Sequence, residues 1–164
     1  MEKAFRPLPL DLLARWVFGE LESRESVLGI PKGSFARPEP RFSSVVLGRE
    51  LAAPVGVAAG PHSQLAQNIV AAWLCGARFV ELKTVQILDE LTVSRPCIDS
   101  ADETFNCEWS QELKLEQSFD EYLKAWVLVH ALAAKLSLPA PGTLFAMSVG
   151  YNLEGIRSEP VQRF

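Results

Sequence analysis

Two apolar segments in the middle of the chain end in residues that suit a ligand. The first reads PVGVAAGPH from Pro54, and the second reads FVELKT from Phe79. Small residues let a ligand approach the backbone closely, and a lysine brings a compact positive charge. Such residues at the carboxyl ends of neighbouring parallel strands form a crevice for an anion or a cofactor. The candidate contact residues are Ala58, Ala59, Gly60, Lys83 and Thr84.

The residues around these segments predict a strand–helix–strand unit. Val55–Ala59 is a short apolar strand, and Phe79–Thr84 is the next one. Between them, residues 64–75 repeat apolar side chains at four-residue spacing, Ser63 is a candidate helix cap, and Gly76 suits a helix end. A unit of this kind within about thirty residues places its two strands parallel in one sheet.

A second crossover follows the second strand. Residues 85–112 form a loop that is too long for an ordinary connection, and its length suggests a functional role. Ser118 and Glu121 have the spacing of a capping box for a helix of about eighteen residues. The apolar stripe that we expect to face the core along that helix consists of Phe119, Tyr122, Leu123, Trp126, Val129, His130 and Ala133. Leu144–Ser148 is then a third strand, which ends at a glycine.

The residues before the core strands predict a helix and a hairpin. Residues 9–22 carry one apolar stripe, in which we include Leu13, Trp16, Val17 and Leu21. Residues 29–40 are rich in glycine, proline and charge and predict an irregular arm. Residues 45–51 predict a short hairpin that caps one end of a sheet or barrel. We divide the chain into 1–42, the helix and arm, and 43–164, an incomplete barrel domain.

Composition narrows the class of protein. The chain has 164 residues, a net charge of −4 and 48% hydrophobic residues, which is typical of one globular domain. The absence of a basic stripe argues against a nucleic-acid partner. No segment has the length of a signal-peptide core or a membrane span, so we expect no membrane association and a cytoplasmic location. Cys75, Cys97 and Cys107 lack the spacing of a disulfide framework or an iron–sulfur site.

The β/α rhythm predicts a partial TIM barrel. Eight strand–helix units need about 250 residues, and this chain supplies about three. We therefore expect an α/β fold with an N-terminal helix and hairpin and an incomplete barrel. The apolar faces of three such units are expected to make the isolated chain associate or aggregate.

The order of four motifs resembles a known class of flavin barrels. The motifs are PVGVAAGPH, FVELKT, the loop FNC that contains Asn106, and the strand LFAMSVG. Together they resemble the first part of the dihydroorotate dehydrogenase-like barrels, which include the flavin domain of dihydropyrimidine dehydrogenase. The longer run from AAGPHSQLAQNIVAAWLCGARFVELKTVQ through NCEWS to MSVGYNLEGI is similar to the N-terminal part of the selenate reductase-like subunit family. That family consists of large, multidomain iron–sulfur flavoproteins.

The resemblance implies FMN as the cofactor and gives each candidate residue a role. The backbone of Ala58, Ala59 and Gly60 would touch the edge of the isoalloxazine ring. Lys83, with Thr84 beside it, would approach the pyrimidine side, where an ammonium favours the negatively charged reduced ring. Asn106 would contact the substrate. Iron–sulfur clusters and FAD would belong to other parts of a full-length protein, together with its electron-transfer domains or subunits.

The chain also departs from the dihydroorotate dehydrogenase pattern. In that family the catalytic cysteine or serine follows the fourth strand, and the phosphate site lies near the last two strands. The chain reaches neither, so we assign no catalytic or metal-binding residue and expect no turnover from the chain alone. After Asn106, Glu108-Trp109-Ser110 replaces a glycine-containing substrate turn, which argues against a pyrimidine substrate.

Each candidate residue also has a structural alternative. Alternation along the strand places Phe79, Glu81 and Lys83 on one face, so Glu81 and Lys83 could form an ion pair inside a barrel. Gly60-Pro61 and Asn106 could serve only as turn residues. At the level of function, the alternative to an FMN-dependent oxidoreductase domain is a flavin-free, barrel-derived scaffold that docks electron-transfer modules.

Overall fold

The computed structural model describes residues 5–85, 112–138, 142–150 and 152–164. The helices and strands that it contains, in chain order, are α1 (Leu10–Arg24), β1 (Ser26–Val27), β2 (Ile30–Pro31), β3 (Ser44–Val46), β4 (Arg49–Leu51), β5 (Gly56–Val57), α2 (Ala66–Leu74), β6 (Phe79–Glu81), α3 (Leu115–Leu136), β7 (Leu144–Ala146), α4 (Leu153–Ile156) and α5 (Glu159–Arg163).

A three-stranded parallel sheet forms the centre of the fold. Its strand order is β5-β6-β7, with β6 in the middle and parallel to both neighbours. Helix α2 connects β5 to β6, and α3 precedes β7, so each strand of the sheet is separated from the next by a helix. The predicted α/β fold with about three units of a barrel is confirmed. The described strands form an open sheet and not a closed barrel.

The two faces of this sheet differ in exposure. On one face, Val80 and Leu82 of the β6 segment are buried in the core with residues of α2 and α3. On the other face, Glu81 is exposed and Lys83 is half-buried. Since side chains alternate along a strand, Glu81 lies on the face opposite Val80 and Leu82.

The strand β6 contains an extra residue near its carboxyl end. Between the paired positions Glu81–Ala146 and Val85–Val149, the chain advances four residues on the β6 side but three on the β7 side. An extra residue of this kind is a β-bulge, and bulges change the direction of nearby side chains. Lys83 and Thr84, both half-buried, lie inside the bulged stretch between the buried residues Leu82 and Val85.

Gly56 allows β5 and β6 to lie close together. A Cβ added to Gly56 would lie 2.6 Å from the backbone oxygen of Phe79, its partner in the register. A contact this short with a backbone atom requires the two strands to separate. The glycine is therefore a packing requirement of the parallel pair.

Helix α1 and the arm belong to the same core as the sheet. Leu13, Val17 and Leu21 of α1 are buried in one cluster with α2 and α3, and Phe35 of the arm joins them. The arm residue Ala36 donates its N–H to the carbonyl of Leu74 at the end of α2, 2.8 Å away. The division of the chain at residue 42 stays a prediction.

The predicted inclusion of Trp16 in the α1 stripe is wrong, because its side chain is 48% exposed. Leu13, Val17 and Leu21 follow a four-residue spacing, which advances by about 40° per step around a helix of 3.6 residues per turn. Trp16 lies about 100° from the centre of that stripe and so falls at the solvent boundary.

The predicted hairpin is confirmed and lies near the amino-terminal end of β7. Strands β3 and β4 pair antiparallel around Leu47 and Gly48, which both have positive φ. Positive φ at both turn residues is typical of the turns that match the twist of a hairpin. Just after β4, Ala52 donates its N–H to the carbonyl of Gly142, 2.9 Å away and two residues before β7.

Helix α3 buries only part of the predicted stripe. Tyr122, Val129 and Ala133 are buried as expected. Trp126, which we expected in the core, is 44% exposed and packs edge-to-face on Phe145 at 5.7 Å, and Phe119 and Leu123 are exposed as well. The other buried residues of the helix are Leu115, Ser118, Glu121, Ala125, Leu128 and Leu132. The buried face is therefore rotated around the helix relative to the predicted stripe and includes polar side chains.

Candidate functional site

The carboxyl ends of β5 and β6 lie side by side. The parallel register pairs Gly56 with Phe79 and Val57 with Val80, so the segments that continue from both strands leave the same end of the sheet. We call the residues at this end, Ala58, Ala59, Gly60, Lys83 and Thr84, the strand-end rim. The structure thus brings the two groups of predicted site residues to one edge of the fold.

The first half of the rim offers exposed backbone and small side chains. Ala58 and Ala59 are exposed, whereas Gly60 is buried. The N–H of Ala59 donates to the carboxylate of Glu81 across the strand pair, over 3.3 Å. The N–H of Gly60 donates to the hydroxyl of Ser63 over 3.1 Å, and that hydroxyl donates back to the Gly60 carbonyl over 3.0 Å. Both amide donors of this loop are therefore in use within the chain.

The space beside Gly60 is occupied by a histidine ring. A Cβ added to Gly60 would lie 2.7 Å from Cε1 and 2.8 Å from Nδ1 of His62. Gly60 has an extended backbone with φ −171°, so its conformation alone does not require glycine. His62 is exposed. A flat ligand at Gly60 would approach beside this imidazole or displace it.

Lys83 is held through its backbone carbonyl. The hydroxyl of Tyr122 on α3 donates to the Lys83 carbonyl over 2.8 Å. Burial raises the pKa of the Tyr122 phenol far above its ordinary value of 10.0, so the hydroxyl remains a donor at physiological pH. In the part of the chain that the structure describes, the Lys83 ammonium makes no hydrogen bond or ion pair. The Glu81–Lys83 pair that we considered as an alternative is not formed.

Thr84 lies against the end of β7. A Cβ added to Gly150 would lie 3.3 Å from the Thr84 methyl group, so the Thr84 side chain faces Gly150. The N–H of Gly150 in turn donates to the carbonyl of Val85 over 2.9 Å. Thr84 therefore lies on the β7 side of β6, whereas Ala58, Ala59 and Gly60, which follow β5, lie on the other side.

A cluster of buried polar side chains connects the start of α2 to α3. The carboxylate of Glu121 on α3 accepts the N–H of Ala66, the first residue of α2, over 2.6 Å. Glu121 is fully buried and forms an ion pair with Lys124, which also donates to the carbonyl of Leu8 over 2.8 Å. A carboxylate at a helix N-terminus interacts favourably with the helix dipole and satisfies a free backbone donor. The side chain of Gln64, just before α2, bonds Glu112 ahead of α3.

The two helix caps that we predicted, one for α2 and one for α3, are wrong. Ser63 was expected to cap α2, but it belongs to a 3-10 turn, Pro61–Gln64, and bonds Gly60 instead. Ser118 and Glu121 were expected to cap α3, but α3 begins earlier, where the side chain of Gln117 accepts the N–H of Lys114 over 3.0 Å. Both serines lie near a helix start, and the three-residue spacing alone cannot distinguish a cap from a first-turn residue.

Two of the sequence predictions lie outside the described residues. Asn106, the candidate substrate contact, lies in the part of the sequence between β6 and α3 that the structure does not describe, and so do Cys97 and Cys107. In the described ranges, no group of three or more histidine, cysteine, aspartate or glutamate side chains could hold a metal ion. None of the described helices is both long and apolar enough to cross a membrane.

Two further residues of the site were not assigned from sequence. Glu81 was considered only as a partner of Lys83, yet it bonds the backbone of Ala59. Tyr122 was counted among apolar stripe residues, although a tyrosine in a buried stripe usually finds a hydrogen-bond partner for its hydroxyl. This rule predicts from sequence that the Tyr122 hydroxyl has a hydrogen-bond partner. Only the folded structure shows that the partner is the Lys83 carbonyl.

By fold and site, the chain is part of a parallel α/β barrel with its candidate site at the carboxyl ends of the strands, where such barrels place their sites. The model of the family described as "Oxidoreductase YgfK, N-terminal TIM-barrel domain" matches residues 28–164. The chain belongs to this family, which confirms the resemblance to an oxidoreductase barrel that the motifs indicated.

Two curated relatives give the same result. Both are named "Putative oxidoreductase YgfK", one from Escherichia coli strain K12 and one from Escherichia coli O157:H7. Each is 51% identical to this chain over 166 residues, an alignment that covers 100% of the chain and 16% of the relative. The chain thus spans about a sixth of the length of these relatives. No solved structure matches it.

Proposed function

We propose that this domain contributes part of an FMN site in a larger, iron–sulfur-containing oxidoreductase of the selenate reductase-like kind. The observation that carries the proposal is the Lys83 ammonium, which has no hydrogen bond or ion pair among the described residues and lies at the same sheet end as the exposed residues Ala58 and Ala59. A bound FMN supplies the capacity to take up and release electrons singly or as hydride. The chain's own residues bind the ring and bias its charge.

The residues of the strand-end rim fit an isoalloxazine ring in size and charge. Ala58 and Ala59 present small side chains, so a planar group can lie against their backbone. Lys83 brings a positive charge to the open face, where a ring that gains negative charge on reduction is stabilised. Thr84 would help to bound the ring on the side of β7. Asn106 is our candidate for a substrate contact.

The rest of the proposal concerns the complete protein. We infer that iron–sulfur clusters and FAD lie in other parts of it, and that electron-transfer domains or subunits exchange electrons with this site. A small molecule is the substrate, and the location is cytoplasmic. The present chain contains no residue that we assign to catalysis, so we expect it to show no turnover alone.

One observation favours the flavin-free alternative. The N–H groups of Ala59 and Gly60 are already hydrogen-bonded within the chain, and the His62 ring fills the space beside Gly60. A scaffold that docks electron-transfer modules would need none of these groups for a ligand. The free cation of Lys83 has no role in that alternative, and for this reason we prefer the flavin site.

Flavin content of the complete gene product tests the proposal. We expect FMN at near-equal stoichiometry after extraction and quantification, and yellow protein. Lys83→Met should weaken binding of added FMN by about ten- to hundredfold, because hydrogen bonds to charged groups contribute about 1.5–3 kcal/mol. It should also shift the flavin midpoint potential to more negative values.

Lys135→Met is the matched control, because Lys135 is an exposed lysine in the last turn of α3, paired with Glu22. This variant should keep the wild-type FMN affinity and potential. A colourless complete protein that binds no added FMN but still binds its electron-transfer modules would establish the scaffold instead.

A further inference from the structure

A carboxylate that has no part in the proposed flavin site lies beside the strand-end rim. Glu81 is exposed and lies on the open face of the sheet, two residues before Lys83. Its carboxylate accepts the N–H of Ala59 over 3.3 Å. This contact joins β6 to the loop after β5 and occupies a backbone donor at the position where we propose that the ring binds.

We propose that Glu81 competes with the flavin for the rim. This inference rests on the FMN site proposed above. In the ligand-free protein, the carboxylate keeps the Ala59 N–H satisfied and fixes the loop in its folded position. A ring acceptor that binds at Ala59 takes this N–H in place of the carboxylate, so part of the binding free energy is used to displace Glu81.

The negative charge of Glu81 lowers flavin affinity, as does the need to displace its carboxylate. FMN carries a phosphate, and its ring gains negative charge on reduction, so a carboxylate at the rim repels both. The ammonium of Lys83 would offset this repulsion if it were paired with Glu81, but the two side chains form no ion pair in the described structure. Glu81 therefore lowers the affinity of the rim for flavin, and Lys83 raises it.

The contact between Glu81 and Ala59 distinguishes two states of the rim. In this proposal its presence describes the empty site, and its loss describes the occupied one.

Two variants separate the effect of displacing the Glu81 carboxylate from the effect of its charge. Glu81→Ala removes both the acceptor and the charge, whereas Glu81→Gln keeps a neutral acceptor for the Ala59 N–H. Measured by fluorescence titration of the flavin-depleted complete protein, the alanine variant should bind FMN about three- to tenfold more tightly, the range that one hydrogen bond provides. The glutamine variant should lie between it and the wild type.

Glu50→Ala is the control, since Glu50 is an exposed glutamate on β4, in the hairpin near the opposite end of the sheet. It should leave the FMN affinity unchanged. Hydrogen exchange provides a readout that does not depend on affinity. Without FMN, the Ala59 amide should exchange faster in Glu81→Ala than in the wild type, and FMN should restore its protection in the variant.

The outcomes distinguish this inference from the proposed function. If the wild type binds FMN but both Glu81 variants bind it equally well or more weakly, Glu81 does not compete and the inference fails alone. If Glu81→Gln binds as tightly as Glu81→Ala, charge is the whole effect and displacement is overturned. If the wild type binds no FMN under any condition, the proposed function fails and the inference fails with it.

Discussion

At the scale of single residues, the site depends on groups that hold the backbone and not only on groups that face a ligand. Tyr122 is the clearest case, because its hydroxyl reaches from α3 to the carbonyl of Lys83. The Lys83 carbonyl lies in the bulged stretch of β6, where the regular pairing with β7 is interrupted. A side-chain donor there replaces a ladder hydrogen bond and fixes the segment that carries the ammonium.

We predict that Tyr122→Phe destabilises the protein by about 1–3 kcal/mol, because it leaves the partly buried Lys83 carbonyl without its donor. Phenylalanine keeps the ring and its edge-to-face contact with Phe164 at 6.1 Å, so packing is preserved. The same variant should weaken FMN binding, since Lys83 loses its anchor. Chemical denaturation and FMN titration of the complete protein measure the two effects.

The pH dependence of stability supplies a second readout for Tyr122. Burial favours the neutral phenol and raises the pKa in the folded state above 10.0. The stabilising effect is fully present below pH 10 and is lost as the pH rises from there toward the folded-state pKa. The wild type should therefore lose stability at alkaline pH more steeply than Tyr122→Phe. Equal slopes for the two proteins would contradict the buried position of the phenol.

At the scale of elements, the close approach of β5 and β6 is what places the two halves of the rim together. Gly56 makes this approach possible, because any side chain would meet the backbone of Phe79. The polar cluster around Glu121 then fixes the start of α2 relative to α3, immediately after the loop that carries Gly60. The rim is thus set by one glycine in a strand and one buried carboxylate between two helices.

We predict that Gly56→Ala destabilises the domain by about 1–3 kcal/mol, the usual cost of forcing an atom into a packed site. The cause is the separation of β5 from β6, so the rim should also widen and FMN affinity should fall. Gly33→Ala is the matched control, because nothing lies within 4 Å of a Cβ added at Gly33. If the two variants unfold at the same denaturant concentration, the close contact at Gly56 has no energetic importance.

Sequence patterns predicted most of the elements and their order but not all of the contacts. Apolar runs predicted the parallel strands, and the glycine that follows Val45–Leu47 predicted the hairpin, because these signals are local. The caps of α2 and α3 and the core positions of Phe119, Leu123 and Trp126 were wrong. They depend on which helix packs where: Glu121 is buried only because it faces the start of α2. The contact between Glu81 and Ala59 likewise depends on how β5 and β6 pair, which a local pattern does not predict.

At the scale of the whole molecule, the described chain is an open segment of a barrel. Three parallel strands have helices on one face, and the other face carries the exposed Glu81 and the half-buried Lys83. Large apolar side chains on α3 and in the β3–β4 hairpin are also exposed, among them Trp126 and Leu47. The relatives are about six times as long as this chain, so the activity of the complete protein is a matter of proposal.

A structure of the complete protein with FMN bound tests the central claim most directly. We predict density for a planar ring at the carboxyl ends of β5 and β6, against the backbone of Ala58 and Ala59 and within hydrogen-bond distance of the Lys83 ammonium. In the same map, the Glu81 carboxylate should have left the Ala59 N–H. A rim filled by side chains from another part of the protein, with FMN bound elsewhere or absent, would contradict the account.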